Sequence, residues 1–190
     1  MTKTFRTTMI VTTALGLTSC ATFHHNVAAA YPDYLQQYAT PPAVTLPTNL
    51  HYRFAESFDP TEVDVQPSMA DSAHVWVIQP QAMLTDYLHA QGLYPAGSVF
   101  GGETTTGEVL VLDQARFRFE EGMAHVDLAV TLSRDSALVF SKQYSADGSN
   151  KRDRTILAAP WGTTGAILDS TTVALDAIFG QVAKDLSAPR

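Results

Sequence analysis

The sequence predicts a two-layer α+β domain in which an antiparallel β-meander of about three to four strands is packed by two helices. Residues 109–144 alternate between apolar and polar side chains and are divided by short turns, which predicts consecutive strands. Residues 80–91 and 164–186 instead show the periodicity of amphipathic helices. The apolar face of such a helix needs a partner, and the open face of the meander supplies it.

Shorter elements precede the meander. Leu50, Tyr52 and Phe54 alternate with their neighbours, which predicts a half-buried strand near the start of the domain. Residues 63–65 predict a short extended piece, and residues 75–78 (VWVI) either end a strand or open a helix. The helix that follows begins with a proline, which is favoured at the first helical position, and its apolar face consists of Met83, Leu84, Tyr87 and Leu88.

The meander follows a glycine-rich stretch, residues 95–108, that predicts a loop. Its middle strand has the clearest pattern, because every second residue from 126 to 132 is apolar. Residues 120–122 and 134–135 predict the turns on either side of this strand. The terminal helix has an apolar stripe and an opposite, polar side that carries Asp169, Thr172, Asp176, Lys184 and Asp185.

The N-terminus has the layout of a secretory signal. Lys3 and Arg6 give it a positive start, and residues 9–17 (MIVTTALGL) form an apolar stretch too short to span a bilayer. The run that ends in Cys20 (LTSC) resembles the lipobox of bacterial lipoprotein precursors, whose cysteine carries a diacylglyceryl group and an amide-linked acyl chain such as palmitate. The resemblance implies a signal peptide over residues 1–19 and a lipid attached to Cys20.

Residues 20–48 are predicted to be a lipid-anchored tether, and residues 49–190 to be an α+β periplasmic domain. The prolines at positions 32, 41, 42 and 47 interrupt any helix or sheet in the tether. Fully extended, roughly 25 such residues would reach up to about 80 Å from the anchor. The alternative is a short helix docked on the domain, because one group of residues has helical spacing: Tyr31, Tyr34, Leu35 and Tyr38.

Charge and cysteine content exclude several function classes. Cleavage before Cys20 would remove Lys3 and Arg6, so that 10 basic residues face 19 acidic ones and the formal charge is -9. This balance argues against binding of nucleic acid or anionic lipid headgroups through a basic patch. Cys20 is the only cysteine, which excludes an intramolecular disulfide. Ala21 follows it in place of the aspartate typical of inner-membrane retention, which favours the periplasmic side of the outer membrane over the inner-membrane alternative.

The order of the elements resembles a known class of bacterial proteins. A lipobox, a proline-bearing tether and a helix reading AMLTDYLHAQGLYPAG precede the strands EVLVLDQARFRFEEGMAHVDLAVTLS and the terminal helix TTGAILDSTTVALDAIFGQVAKDL. Over residues 72–187 this pattern is similar to the small envelope lipoproteins of the YajG type and to the PqiC-like auxiliary lipoproteins of ABC-type transport systems. The resemblance implies a non-enzymatic protein that binds other envelope proteins. Neither family supplies site residues for this chain.

Residue patterns for catalysis or metal binding are weak. Two histidine–carboxylate pairs are spaced for acid–base chemistry, although exposed pairs of this kind are common: Asp86 with His89 and His125 with Asp127. The six histidines show no H-x-x-x-H spacing, and the neighbouring pair at positions 24–25 has no third ligand close to it in sequence. We therefore predict no enzyme activity, no metal, and no cofactor besides the covalent lipid on Cys20.

Aromatic residues near loop ends are candidate partner contacts, since aromatics are over-represented at interface hot spots: Tyr94, Phe100 and Trp161. Trp161 equally fits a hydrophobic staple of the terminal helix. The main expectation is an accessory protein that binds envelope proteins in ABC-type lipid transport or envelope maintenance. The alternatives are a regulator of a cell-wall synthase, and a lipid or small-ligand carrier with a pocket lined by Phe117, Phe119, Val126, Leu128, Ile178 and Phe179.

Overall fold

The computed structural model describes residues 23–38, 45–47, 49–65, 74–96, 107–120, 123–149 and 162–188. Within these ranges the chain forms eight strands, three α-helices and a short 3-10 helix. The strands are β1 (Phe23–Asn26), β2 (Leu50–Phe54), β3 (Val63–Val65), β4 (His74–Ile78), β5 (Tyr94–Pro95), β6 (Glu108–Glu120), β7 (Met123–Arg134) and β8 (Ala137–Asp147). The helices are α1 (Tyr31–Tyr38), α2 (Pro80–Ala90) and α3 (Gly162–Ser187), and the 3-10 helix is Ala28–Ala30.

The strands form two mixed sheets. The three-stranded sheet has the order β1-β4-β3, with β1 parallel and β3 antiparallel to β4. The five-stranded sheet has the order β5-β2-β6-β7-β8, in which β5 and β6 both run parallel to β2 and only β6, β7 and β8 form an antiparallel meander. Both sheets therefore combine parallel and antiparallel pairs.

The predicted fold, one meander of about three to four strands packed by two helices, is wrong. The described part of the chain holds eight strands in two sheets, with three helices. The prediction failed because the additional strands are short and, apart from β3, join their neighbours through parallel pairs between distant segments. A parallel pair needs a long crossover connection, so no local turn signal marks it in the sequence.

The five-stranded sheet packs one face against α3. Along β7 the side chains alternate, and Val126, Leu128 and Val130 are almost completely buried in the same core cluster as the helix. Full burial of such a side chain contributes about 1.5–3 kcal/mol. Among the described residues, α3 is the helix long and apolar enough by composition to cross a membrane, yet most of it is buried inside the domain. Its apolar stripe therefore belongs to the protein core.

Other elements cover the polar side of α3. The helix is therefore not an amphipathic helix whose polar side faces solvent. The Tyr34 hydroxyl of α1 donates to Asp169 Oδ1 at 2.6 Å, and the Tyr87 hydroxyl of α2 donates to Asp176 Oδ1 at 2.6 Å. Asp169 is only 4% exposed. Hydrogen bonds to carboxylates are strong, so these pairs offset part of the cost of covering them.

Part of the predicted tether is folded. Residues 23–38 form β1, the 3-10 helix and α1, and they contribute buried side chains to the core: Val27, Ala28, Tyr31, Tyr34 and Leu35. The helix that we gave as the alternative, docked on the domain, is α1. The predicted signal peptide over residues 1–19 and the predicted lipid site at Cys20 lie outside the described residues.

A close backbone approach joins the end of β8 to α3. The Gly148 N–H donates to the Ala124 carbonyl at 2.7 Å, and the Ala124 N–H donates to Ser170 Oγ at 2.8 Å. A Cβ atom at Gly148 would lie 2.6 Å from the carbonyl carbon of Ser170. Only glycine fits here without displacing the helix backbone.

Two aspartates of α3 are expected to influence stability with opposite signs as pH changes. Burial raises the pKa of Asp176, whereas hydrogen bonds from Tyr144 and Lys142 lower the pKa of Asp185. The folded state therefore binds the proton of Asp176 more tightly than the unfolded chain does, and stability falls as pH rises through the ordinary range of an aspartate, about 3.9. For Asp185 the stabilisation is present above that range and is lost as pH falls.

We therefore expect Asp176→Asn, which keeps an oxygen for the Tyr87 hydroxyl, to raise the melting temperature at pH 7. The matched change Asp185→Asn should lower it at the same pH. The gain from Asp176→Asn should shrink towards about pH 4, because a carboxyl with a raised pKa becomes protonated in the fold there, whereas the loss from Asp185→Asn should persist at pH 4, because the lowered pKa of Asp185 keeps it ionised. Thermal unfolding followed by circular dichroism between pH 4 and 8 measures this, and two variants that shift in the same direction at pH 7 would contradict the assignment.

Candidate functional site

Of the candidate partner contacts, Tyr94 alone lies within the described residues. Phe100 and Trp161, like Cys20, lie outside them. Tyr94 stands on β5, at the edge of the five-stranded sheet, and is 59% exposed. A large exposed aromatic side chain at a sheet edge suits contact with another protein.

Tyr94 belongs to a row of rings that reaches the core. Its ring is tilted against His89 with centroids 6.3 Å apart, and His89 Nε2 lies 3.0 Å from the Tyr52 hydroxyl. Tyr52 is buried, and burial raises the pKa of its hydroxyl, which therefore keeps its proton. The row holds Tyr94 close to the C-terminal end of α2.

A groove of about 480 Å³ runs beside the same helix and is lined by Pro60, Glu62, Gln79, Gln81, Ala82, Thr85 and Asp86. Gln79 Nε2 donates to Glu62 Oε1 at 2.6 Å, which ties β4 to the segment before β3. Burial raises the pKa of Asp86, and the nearby His89 opposes this shift. We call the groove residues together with His89 and Tyr94 the α2 surface.

The chemistry of the α2 surface suits a protein partner better than an acyl chain. Its groove is open, and amide, hydroxyl and carboxylate groups share its lining with apolar surface near one exposed ring. A lipid site would instead need an enclosed apolar cavity. A partner with hydrogen-bond donors or positive side chains would complement Glu62 and Asp86.

A second cluster lies on the three-stranded sheet and joins residues that are far apart in sequence. The rings of Phe23 and His74 stack at 5.2 Å, and those of His25 and Trp76 at 5.1 Å. His25 Nε2 lies 2.8 Å from His74 Nδ1. Sequence reasoning missed this contact, because a parallel pairing between positions 49 residues apart leaves no local pattern.

This histidine cluster does not amount to a metal centre in the part of the chain that the structure describes. No group of three or more histidine, cysteine, aspartate or glutamate side chains in those ranges is arranged to hold a metal ion. His24 lies on β1 between Phe23 and His25, and alternate side chains of a strand point to opposite faces. The neighbouring pair at positions 24–25 is therefore split between the two faces of the sheet.

Of the two histidine–carboxylate pairs noted in the sequence, Asp86 and His89 stay near each other, whereas His125 and Asp127 have other partners in the structure. His125 Nδ1 lies 2.6 Å from Asp147 Oδ1, whereas Asp127 accepts hydrogen bonds from Arg118 at 3.2 Å and from Ser145 at 2.6 Å. These contacts cross neighbouring strands of the meander on its exposed side. Cross-strand pairs of this kind stabilise a sheet, so a structural role is sufficient to explain these residues.

No family model and no curated protein matches this chain. Among solved structures, it is similar to the crystal structure of protein XCC0632 from Xanthomonas campestris, described as family DUF330. The two share 16% sequence identity, the match covers 77% of this chain and 93% of that chain, and the TM-score is 0.37. A likeness this distant assigns neither a family nor a functional site to this chain.

The side chains suggested as the lining of a ligand pocket are core residues. Phe117, Val126, Leu128, Ile178 and Phe179 are at most 4% exposed, and all belong to one packed cluster. Phe119 is partly buried and packs against the same cluster. Protein interiors are close-packed, and these residues fill the space between the sheet and α3.

Proposed function

We propose that this protein is a lipid-anchored periplasmic accessory protein that binds other envelope proteins through the α2 surface. Its role would be auxiliary to ABC-type lipid transport or to envelope maintenance, as in the YajG-type and PqiC-like lipoproteins that the sequence resembles. The lipid on Cys20 would hold it at the periplasmic face of the outer membrane. It would need no metal, cofactor or nucleic acid.

The observation that carries this proposal is the exposed Tyr94 on the same helix-side surface as an open groove with a mixed polar and apolar lining. An aromatic ring offers a large contact area at a low cost in side-chain entropy, and polar groups near it give orientation. The alternative of lipid carriage gains no support, because the proposed pocket lining is packed into the core. The alternative, regulation of a cell-wall synthase, would use the same surface. The identity of the partner that is captured distinguishes these two roles.

The test places a photo-crosslinking amino acid at Tyr94 of the full-length lipidated protein in its own cells. The matched control places it at Gln36, an exposed position on α1. We expect a subunit of an ABC-type lipid transport assembly to be captured from position 94 and not from position 36. Capture of a cell-wall synthase at position 94, or equal capture at both positions, would overturn the proposed role in transport.

A second measurement addresses the carrier alternative directly. Organic extraction of the purified protein, followed by mass spectrometry, should release no lipid beyond the covalent acyl chains. One noncovalent lipid per protein would contradict a binding role based on the α2 surface alone. A bound lipid of this kind would indicate a cavity that opens when α3 moves.

A further inference from the structure

We infer that the end of the three-stranded sheet at which β1 and β4 begin rests on the membrane, with the Phe23 ring in the interfacial region of the bilayer. The inference builds on the proposed function, because it takes the lipid on Cys20 as given. It adds an orientation: one defined end of the domain is a lipid-contacting surface. We call this end, formed by Phe23, His25, His74 and Trp76, the aromatic end.

The length of chain between anchor and fold limits where the aromatic end can be. Cys20 precedes Phe23, the first residue of β1, by three positions. Consecutive Cα atoms are 3.80 Å apart, so the two Cα atoms are separated by at most about 11 Å. The polar region on each side of a bilayer is about 5–8 Å thick. The start of β1 therefore stays within or next to the headgroup layer.

Strand direction places the stacked rings at that same end. β1 and β4 are parallel and in register, with Phe23 opposite His74 and His25 opposite Trp76. Both strands therefore begin at the same end of the sheet, which is the end closest in sequence to Cys20. The Phe23 ring stacks on His74 at this end and stays largely exposed.

The composition of the aromatic end fits an interfacial location. Phe23 is 55% exposed, which leaves a large apolar surface in water when no membrane covers it. The partly exposed histidine rings beside it combine an apolar body with a polar tip, which suits the boundary between headgroups and acyl chains, whereas Trp76 is buried and belongs to the core. The chain is acidic, yet β1 (FHHN) and β4 (HVWVI) contain no carboxylate, and Asp64 of the neighbouring β3 lies opposite Val77, further along β4. The two strands therefore add no negative charge where the aromatic end meets the headgroups.

The test measures membrane depth at single labelled positions in the full-length lipidated protein. Cys20 is the only cysteine and is blocked by lipid, so Phe23→Cys and Leu138→Cys each provide one reactive thiol for a nitroxide label. The proteins are reconstituted into vesicles of phosphatidylethanolamine and phosphatidylglycerol. Electron paramagnetic resonance then compares the accessibility of each label to oxygen, which concentrates in the bilayer, and to a water-soluble nickel chelate.

Leu138 is the matched control because it is also an exposed apolar residue, at 68%, and lies far from the aromatic end. Along β8 it is ten residues from Gly148, or about 33 Å. Gly148 contacts Ser170 of α3, and Trp76 Nε1 donates to Thr164 Oγ1 of the same helix at 2.9 Å. Position 138 therefore lies at the end of the meander opposite to the anchor.

We expect the ratio of oxygen to nickel accessibility to be several-fold higher at position 23 than at position 138. Equal ratios in protein that sediments with the vesicles would overturn the membrane contact and leave the anchor intact. Sedimentation of a Cys20→Ala variant with the same vesicles would instead overturn the lipid anchor on which the proposed function depends. The two failures are thereby distinguished.

Discussion

A chain that begins at Asn49 is expected to lose cooperative unfolding, whereas a chain that begins at Ala21 should keep it. The shorter chain lacks β1 and α1, and with them several buried side chains: Val27, Tyr31, Tyr34 and Leu35. Each full burial contributes about 1.5–3 kcal/mol, and the total stability of a domain is about 5–15 kcal/mol. Their combined loss is large enough to remove most of that stability.

The truncation also uncovers polar groups that the fold satisfies internally. Asp169 loses the Tyr34 hydroxyl, and Thr172 loses the Tyr31 hydroxyl, which lies 3.0 Å from its Oγ1. Urea unfolding followed by tryptophan fluorescence and far-ultraviolet circular dichroism compares the two chains. A sigmoidal transition with the same midpoint in both would show that residues 23–38 are an independent tether after all.

The second large effect is expected from Gly148→Ala, which we predict to destabilise the protein by about 3 kcal/mol through overpacking. The new methyl group would overlap the backbone of Ser170, which cannot move without bending α3. Such a shift would also disturb the hydrogen bond from the Ala124 N–H to Ser170 Oγ. Chemical denaturation gives the free energy of unfolding for the variant and the parent protein.

Gly107→Ala is the matched control for this substitution. A Cβ atom at Gly107 would meet only the Asn49 carbonyl oxygen, at an ordinary 3.6 Å. We expect a change within about 0.5 kcal/mol, as for substitutions away from packed features. Equal destabilisation by the two alanines would mean that general glycine effects, and not the contact with α3, determine the result.

Whether an element can be predicted from the sequence depends on how far apart in the chain its stabilising contacts lie. The strand at residues 123–134 and the helix from Pro80 follow from alternation and from a favoured first residue, and both are local signals. β1 reads FHHN, with a single apolar residue, and becomes a strand because β4 lies beside it. Its partner is about 50 residues away, which no pattern within the segment reveals.

The candidate site shows the same division. Tyr94 could be singled out because an aromatic residue at a loop end is a local feature. The groove residues could not, since Glu62 and Asp86 are ordinary acidic residues until the fold brings their segments together. The polar side of α3 gave a misleading signal, because Asp169 and Asp176 are the residues that tyrosines of two other helices contact.

The hydrogen bond between Tyr34 and Asp169 joins residues 135 positions apart. The helix that carries Asp169 follows the other described elements in the chain, and both α1 and the meander pack on it. While α3 is still missing from a growing chain, the earlier segments lack the element on which they close. Folding dominated by such distant contacts is slow, because the cost of closing long loops precedes the contacts that reward it. The core of the domain is therefore completed only after α3 has been synthesised.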